Sequence, residues 1–405
     1  MPKLEFFSQL RELKSDDKRS VWVCAAVMFL LLFSYPLIRS TTTAVFLDAY
    51  GAEKSPHAWL LSILILALGI SIYNFFQQKL KINRLYLITV LFSTVCFTVL
   101  NFAFSNGQTW AAYFLYVWKE VYIVLLVHMS LGFLNASINL SLAKIIYGPL
   151  GAVGSLGGVL GGLLTSSLTK SYSIEAIFYL GLLFVFLSGL LFFFLSGNKG
   201  FLSEKNNQRP LQSLTKIKKY VVLIAAIVML SQFCINLMNF KFNLLFTELF
   251  TDPLSKTNFL GKLYSAINGL SLVVQLLVIP IAFKFFKLLT VHRSMPLLYL
   301  LGLVFSFFLG TGILPVAGCF LFMKGLDYSL FAAAKELLYF PLEKGQKYGA
   351  KYLVDMITYR FSKGLISFFL IFMQAPQVIN FLLMTFLLLW FILLIPLFKA
   401  YRESE

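Results

Sequence analysis

The sequence predicts an all-α polytopic membrane protein of about twelve transmembrane helices arranged in two six-helix halves, and three observations predict it. Of its 405 residues, 59% are hydrophobic and only 13% charged, whereas a soluble domain carries roughly a quarter charged residues. Apolar runs of about 18 residues or more recur along the whole chain, each long enough to cross a hydrocarbon core of about 30 Å as a helix. Of the 34 Lys and Arg, 23 fall on one set of alternate connecting segments, three on the other, and eight within or at the ends of the runs. That bias is the positive-inside pattern, which places both termini in the cytosol and suits a bacterial inner membrane.

Lipid offers the backbone no hydrogen-bond partners, so only helices or a closed barrel can span it. Barrel strands alternate apolar and polar residues over about ten positions. The run from Phe381 to Trp390 shows no such alternation, so the spans are helices.

The elements follow in order. Residues 1–20 hold nine charges and no apolar core, so they read as a cytosolic arm rather than a signal peptide. The N-terminal half, 21–196, carries spans at 21–47, 56–76, 84–105, 108–133, 147–168 and 175–196. A polar linker at 197–219 sets Lys199, Lys205, Arg209, Lys216, Lys218 and Lys219 against one acid, Glu204. The C-terminal half, 220–398, carries spans at 220–248, 258–283, 294–312, 314–334, 352–374 and 378–398, and 399–405 is a cytosolic tail. A long polar connection at the midpoint of twelve spans is the organisation of the major facilitator superfamily. An internal echo agrees with it: Ala143 to Leu150 follows the fourth span, and the similar Ala334 to Leu342 follows the tenth.

Several function classes are excluded by what the chain contains. Cys24, Cys96, Cys234 and Cys319 all lie in apolar segments without metal-ligand or redox spacing, so each reads as a small buried hydrophobe. The net charge of +17 is spread over loops rather than gathered in one basic patch, which argues for membrane orientation and against nucleic acid. No nucleophile elbow, Walker motif or ligand cluster points to catalysis or to a cofactor.

Charges within spans are the candidates for function, because each costs at least about 2.5–3.5 kcal/mol at the bilayer centre unless paired or solvated. They are Arg39, Lys119, Glu120, Lys241, Lys324, Asp327, Arg360 and Lys363, six basic and two acidic. A cavity with that excess attracts anions. Arg39 has Pro36 before it and Thr41, Thr42 and Thr43 after it as hydroxyl donors. Lys119 and Glu120 are adjacent and project in different directions, and Glu120 is the one expected to enter the interior. Lys324 and Asp327 are three apart, so they share a helical face and can neutralise each other. Lys241, Arg360 and Lys363 lie near span ends, from which long stems can reach the headgroups. The fifth span is rich in glycine, with Gly154, Gly158 and Gly162 four apart, a face suited to close helix packing rather than to phosphate.

The block Leu326-Asp327-Tyr328-Ser329-Leu330-Phe331, then Ala334-Lys335-Glu336 to Pro341-Leu342, then Lys351, Asp355, Tyr359-Arg360 and Lys363 resembles the ATP/ADP translocase family of plastids and obligate intracellular bacteria. Tyr116 to Tyr122, Ala143-Lys144 and Gly157-Gly158 are similar to that family's fourth and fifth spans, Tyr35 to Arg39 to its first, and Ile235-Asn236-Leu237 to its seventh. The resemblance implies the major facilitator fold and nucleotide exchange that depends on charged residues in the first, fourth, seventh and tenth spans. Glu120 and Lys335 agree with the pattern. Thr42 stands where the family has a lysine, and Asn239 where it has a glutamate.

The expected function is transport of a small organic anion by alternating access, a nucleotide or another phosphorylated metabolite first. Arg39, Lys241 and Lys335 are expected to contact anionic groups, while Glu120 and Asp327 set local charge or carry a proton. Two alternatives stand beside it: a proton-coupled symporter of a different solute, and a sensor or partner protein that has kept the fold without transport.

Overall fold

The computed structural model describes residues 15–138, 140–196, 217–310 and 312–404. Most of the expected N-terminal arm and of the 197–219 linker lies outside the described residues. Within them the chain is helical and shows no strand. In order, the long helices are α1 (Ser15–Tyr50), α2 (Ser55–Gln77), α3 (Ile82–Ser105), α4 (Trp110–Ser137), α5 (Leu140–Leu168) and α6 (Ile174–Leu195). They continue with α7 (Lys218–Leu249), α8 (Pro253–Phe285), α9 (Leu288–Phe308) and α10 (Ile313–Leu338). The last two are α11 (residues 344–372) and α12 (Pro376–Ser404). Eleven are long and apolar enough to cross a membrane. The other, α11, carries Lys351, Asp355, Arg360 and Lys363 within its first six turns.

The helix ends follow local chemistry. Gly51, Gly107 and Gly310 have φ of 70°, 83° and 104° in the α1–α2, α3–α4 and α9–α10 connections, where an L side chain would be strained. The Ser173 hydroxyl accepts from Ala176 N at 3.3 Å and so caps α6, satisfying a donor the first turn leaves free. Asp252 caps α8 in the same way, accepting from Ser255 N at 2.8 Å. Its hydrogen bonds to Ser255, side chain and then backbone, hold its carboxyl below the usual carboxylate range. That cap starts α8 at residue 253 rather than the expected 258, which brings Lys256 into the helix. Likewise α10 runs on to Leu338 and takes in Lys335, which the sequence had placed just past the tenth span.

Three stretches widen from α to π geometry, at Val274–Val278 in α8, Asp327–Phe331 in α10 and Tyr352–Thr358 in α11. Such bulges re-aim the side chains around them and recur at functional sites.

The chain divides into two compact units whose boundaries interleave. The first takes the described residues of 1–49, 64–204 and 252–269; the second takes those of 50–63, 205–251 and 270–405. The first unit has an aromatic interior. Tyr86 stacks on Phe192 at 4.3 Å, Phe97 meets Tyr122 edge-on at 5.1 Å, and Val27, Leu31 and Ile38 of α1 close over them. Around α5 the packing is of backbone on backbone. A methyl placed on Gly157 would stand 2.6 Å from the Phe29 carbonyl oxygen of α1, and one on Gly161 would overlap that of Phe33. On the opposite side, a methyl on Gly162 would stand 2.6 Å from the Gly261 carbonyl oxygen of α8, and one on Gly158 would strike Asn268. The expected glycine face is therefore two faces, because Gly154 meets Leu32 of α1 instead of α8.

In the second unit α7 is the central helix, packed by α10, α11 and α12. Trp390 is fully buried between Tyr299 and Phe331, with ring centroids 5.4 and 5.3 Å away. Together the two rings fix α12 against α9 and α10.

Candidate functional site

The most deeply buried charges of the second unit lie where α10 widens. Lys324 Nζ sits 3.1 Å from Asp327 Oδ2, with 10% and 4% of the two side chains exposed. Their i,i+3 spacing puts them on one face, and the widened turn begins at Asp327 itself. Three neighbouring helices complete the surroundings. Gln232 of α7 donates its Nε2–H to Asp327 Oδ1 at 3.0 Å, and Tyr359 of α11 donates its hydroxyl to Oδ2 at 3.5 Å. Tyr299 of α9 donates to the Met323 carbonyl at 3.0 Å, one turn before Asp327. The Lys324 ammonium also lies over the Tyr328 ring, 4.4 Å from its centroid. Charge, hydrogen bonds and aromatic face together offset the cost of taking both ions from water.

A second cluster lies toward the ends of the same helices. Lys335 Nζ sits 2.6 Å from Asp355 Oδ1, which also accepts from the Tyr339 hydroxyl at 3.1 Å. Lys351 and Glu336 pair beside them at 2.5 Å. These two pairs tie α10 to α11, so Lys335, expected as an anion contact, is engaged by a carboxylate. Lys241 of α7 donates to Asn380 Oδ1 of α12 at 2.9 Å. Lys363 lies 5.4 Å from the Trp59 ring centroid. Arg360 is half-buried, and its Nε makes no hydrogen bond among the described residues. Asn239 is half-buried on α7.

In the first unit the Arg39 guanidinium lies over Tyr264 of α8, 4.0 Å from the ring centroid, and 5.5 Å from that of Tyr35. Two aromatic faces hold it by cation–π attraction. Thr41 and Thr42, expected as ligand hydroxyls, donate to the Leu37 and Ile38 carbonyls at 2.8 and 2.6 Å, so their protons are spent within α1. Lys119 and Glu120 pair at 2.6 Å, and the Lys119 ammonium lies 3.8 Å from the Tyr116 ring centroid. The expectation that Glu120 enters the interior is corrected: Lys119 is the deeper of the two, 2% exposed against 21%. The lysine's four-carbon stem can bend back to its neighbour while its stem stays buried.

Sequence reasoning missed Asp48 and Lys256. They pair at 2.8 Å and join the end of α1 to the start of α8, with the lysine side chain 3% exposed. Both lie at span edges, where a charge reads as a loop residue. It also missed Gln232 and Tyr264, and it named Tyr359 without a role; these are neutral residues that only the pairing of helices makes relevant. No group of three or more His, Cys, Asp or Glu with metal-binding geometry occurs among the described residues.

Comparison with known proteins bears on this arrangement. Residues 272–401 match the family model described as TLC ATP/ADP transporter, a stretch that contains the Lys324–Asp327 and Lys335–Asp355 pairs. The chain is also similar to ADP,ATP carrier protein 3 of Rickettsia conorii, 22% identical over 499 residues, covering 100% of this chain and 99% of that one. Among solved structures it is similar to a bacterial metal transporter, with 12% identity and a TM-score of 0.65 over 96% of this chain and 99% of that one. It is similar to a D-xylose–proton symporter at 10% identity and a TM-score of 0.65, over 96% and 98% of the two chains. Against the nucleoside transporter NupG the values are 13% and 0.57, over 96% and 100%. Identities this low speak for the fold alone.

Proposed function

We propose that this chain, a membrane transporter of the major facilitator fold similar to the ATP/ADP transporter family, carries an organic anion, with a nucleotide or other phosphorylated metabolite as the first candidate. The observation that carries the reading is the buried Lys324–Asp327 pair with Gln232 and Tyr359 around it. A phosphate or carboxylate can take the place of Asp327 on Lys324 while Gln232 and Tyr359 hold the released carboxylate by hydrogen bonds, so binding becomes an exchange of partners. Arg39 in the first unit offers a planar cation on aromatic faces, suited to the same chemistry. Lys241 and Lys335 serve the anion by the same exchange, leaving Asn380 and Asp355 respectively, while Glu120 balances Lys119. The test is a thermal-shift screen of the detergent-solubilised protein against nucleotides, sugar phosphates and carboxylates. A ligand at a hundredfold excess over its Kd stabilises the folded state by about 2.7 kcal/mol. No shift with any anion would favour a sensor that kept the fold.

Thr42 and Asn239 make ATP/ADP exchange itself an unfavourable assignment. A missing lysine removes a charge-assisted contact to a polyphosphate, and a missing glutamate removes a charge that could balance the remaining bases. Liposomes loaded with ADP are expected to take up labelled ATP slowly or not at all, while uptake of a smaller anion proceeds. Fast saturable ATP uptake would overturn this assignment. Acceleration of uptake by an inward proton gradient, without counter-substrate, would favour a proton-coupled carrier.

Both termini are proposed to face the cytosol of a bacterial inner membrane, on the loop-charge bias. A membrane-impermeant thiol reagent should label a cysteine at Glu53 in intact cells and reach one at Asn207 only after permeabilisation. The reverse pattern would invert the orientation.

A further inference from the structure

We infer that the groove between the start of α9 and the end of α12 binds the headgroup and upper acyl chain of an anionic phospholipid. The groove encloses ≈ 380 Å³ and is lined by Arg293 on α9 and by Leu394, Ile395, Phe398, Lys399 and Arg402 on α12, among others. Its polarity is graded along the helix axis. Ile395, 64% exposed, lies seven residues before Arg402, about 10 Å at the rise of an α-helix. Between them the lining passes from Leu394 and Ile395 to Lys399 and Arg402. That is the distance over which a phospholipid passes from acyl chain to phosphate.

The charges are placed for a phosphate. Lys399 and Arg402 are three apart and share a face of the last turns of α12, and Arg293 meets them from α9 across the groove. One acid, Glu403, shares the lining, leaving a surplus of two positive charges. None of the three cations is ion-paired among the described residues. The dipole of α12 favours cations at its end, which accounts for Lys399 and Arg402. It does nothing for Arg293, in the second turn of α9, where the dipole gives a cation no help. Loop-charge bias accounts for basic residues on this side of the membrane, but not for three that converge on one apolar groove. The groove between α1 and α6 makes the contrast. Its one cation, Arg19, already donates to the Leu195 carbonyl at 2.8 Å. Basic pockets between spans on the cytosolic side are the sites where anionic headgroups bind.

The experiment is native mass spectrometry of the full chain in detergent, titrated with phosphatidylglycerol or phosphatidylcholine. Phosphatidylglycerol is expected to stay bound at collision energies that strip phosphatidylcholine. The variant Arg293→Gln/Lys399→Gln/Arg402→Gln should lower its occupancy at least fivefold and leave phosphatidylcholine adducts unchanged. The variant Lys79→Gln/Lys81→Gln/Arg84→Gln, on the α2–α3 connection and the first turn of α3 on the same side, should bind as the native chain does. Equal retention of the two lipids, an equal loss in the second variant, or displacement by soluble glycerol phosphate would each overturn the inference. Should the triple variant not fold, Arg293→Gln alone decides, with unchanged occupancy counting against the site.

Discussion

Asp327→Asn should lower stability by about 3–5 kcal/mol, the usual cost of leaving a buried ion without its partner, and should reduce transport to background. Asparagine keeps the size of the side chain and can still accept from Gln232. It cannot neutralise Lys324, whose side chain is only 10% exposed and whose ammonium lies over the Tyr328 ring. The second half of the prediction separates structure from function. Lys324→Met/Asp327→Leu removes both charges, and such replacements of a buried pair are commonly neutral or stabilising. The thermal midpoint of the double variant should therefore return toward the native value while uptake in liposomes stays absent. Recovery of both would make the pair an internal tie of α10 and nothing more. An unchanged midpoint in Asp327→Asn would mean that water reaches Lys324 and that the site is not dry.

Gly161→Ala should be the most damaging of the alanine substitutions in α5. Overpacking a filled interior costs about 1–3 kcal/mol, and this position belongs at the upper end. The atom in the way is the Phe33 carbonyl oxygen of α1, and a backbone group cannot rotate aside as a side chain can. Gly162→Ala should follow, since it presses on Gly261 O and Ser265 N of α8 at 2.6 and 2.7 Å. Gly148→Ala, in the same helix with nothing within 4 Å of the added methyl, should be silent or slightly stabilising, because alanine is the better helix former. The check is the thermal midpoint together with the initial rate of uptake for all three. Equal effects at the three positions would refute the close approach of α5 to its neighbours. Transport should fall further than stability in the first two, because α1 and α8 carry Arg39 and Tyr264, and any widening separates that guanidinium from its ring.

What the sequence alone determined was the order and number of the long helices. Hydropathy is a sum over neighbouring residues, so every apolar run that lipid can accept is legible without knowing what it packs against. Even α11, whose Lys351, Asp355, Arg360 and Lys363 weaken the apolar signal, was readable from its remaining residues. The glycines of α5 were legible as packing residues for a similar reason: small side chains have one use where helices meet in lipid. Which helix each glycine meets was not, and the division of Gly157 and Gly161 toward α1 from Gly158 and Gly162 toward α8 belongs to the tertiary structure. The charges show the limit most clearly. Their positions along the chain are plain, but their partners are not, because lipid supplies no force that says which face of one helix opposes which face of another. Lys324 and Asp327 could be paired from spacing. Lys335 with Asp355, Lys256 with Asp48, and Arg39 over Tyr264 are joined across separate helices, and only the packed fold brings them together. The Tyr116 ring beneath Lys119 is instead local to α4, three residues away on one face, so that contact was within reach of spacing.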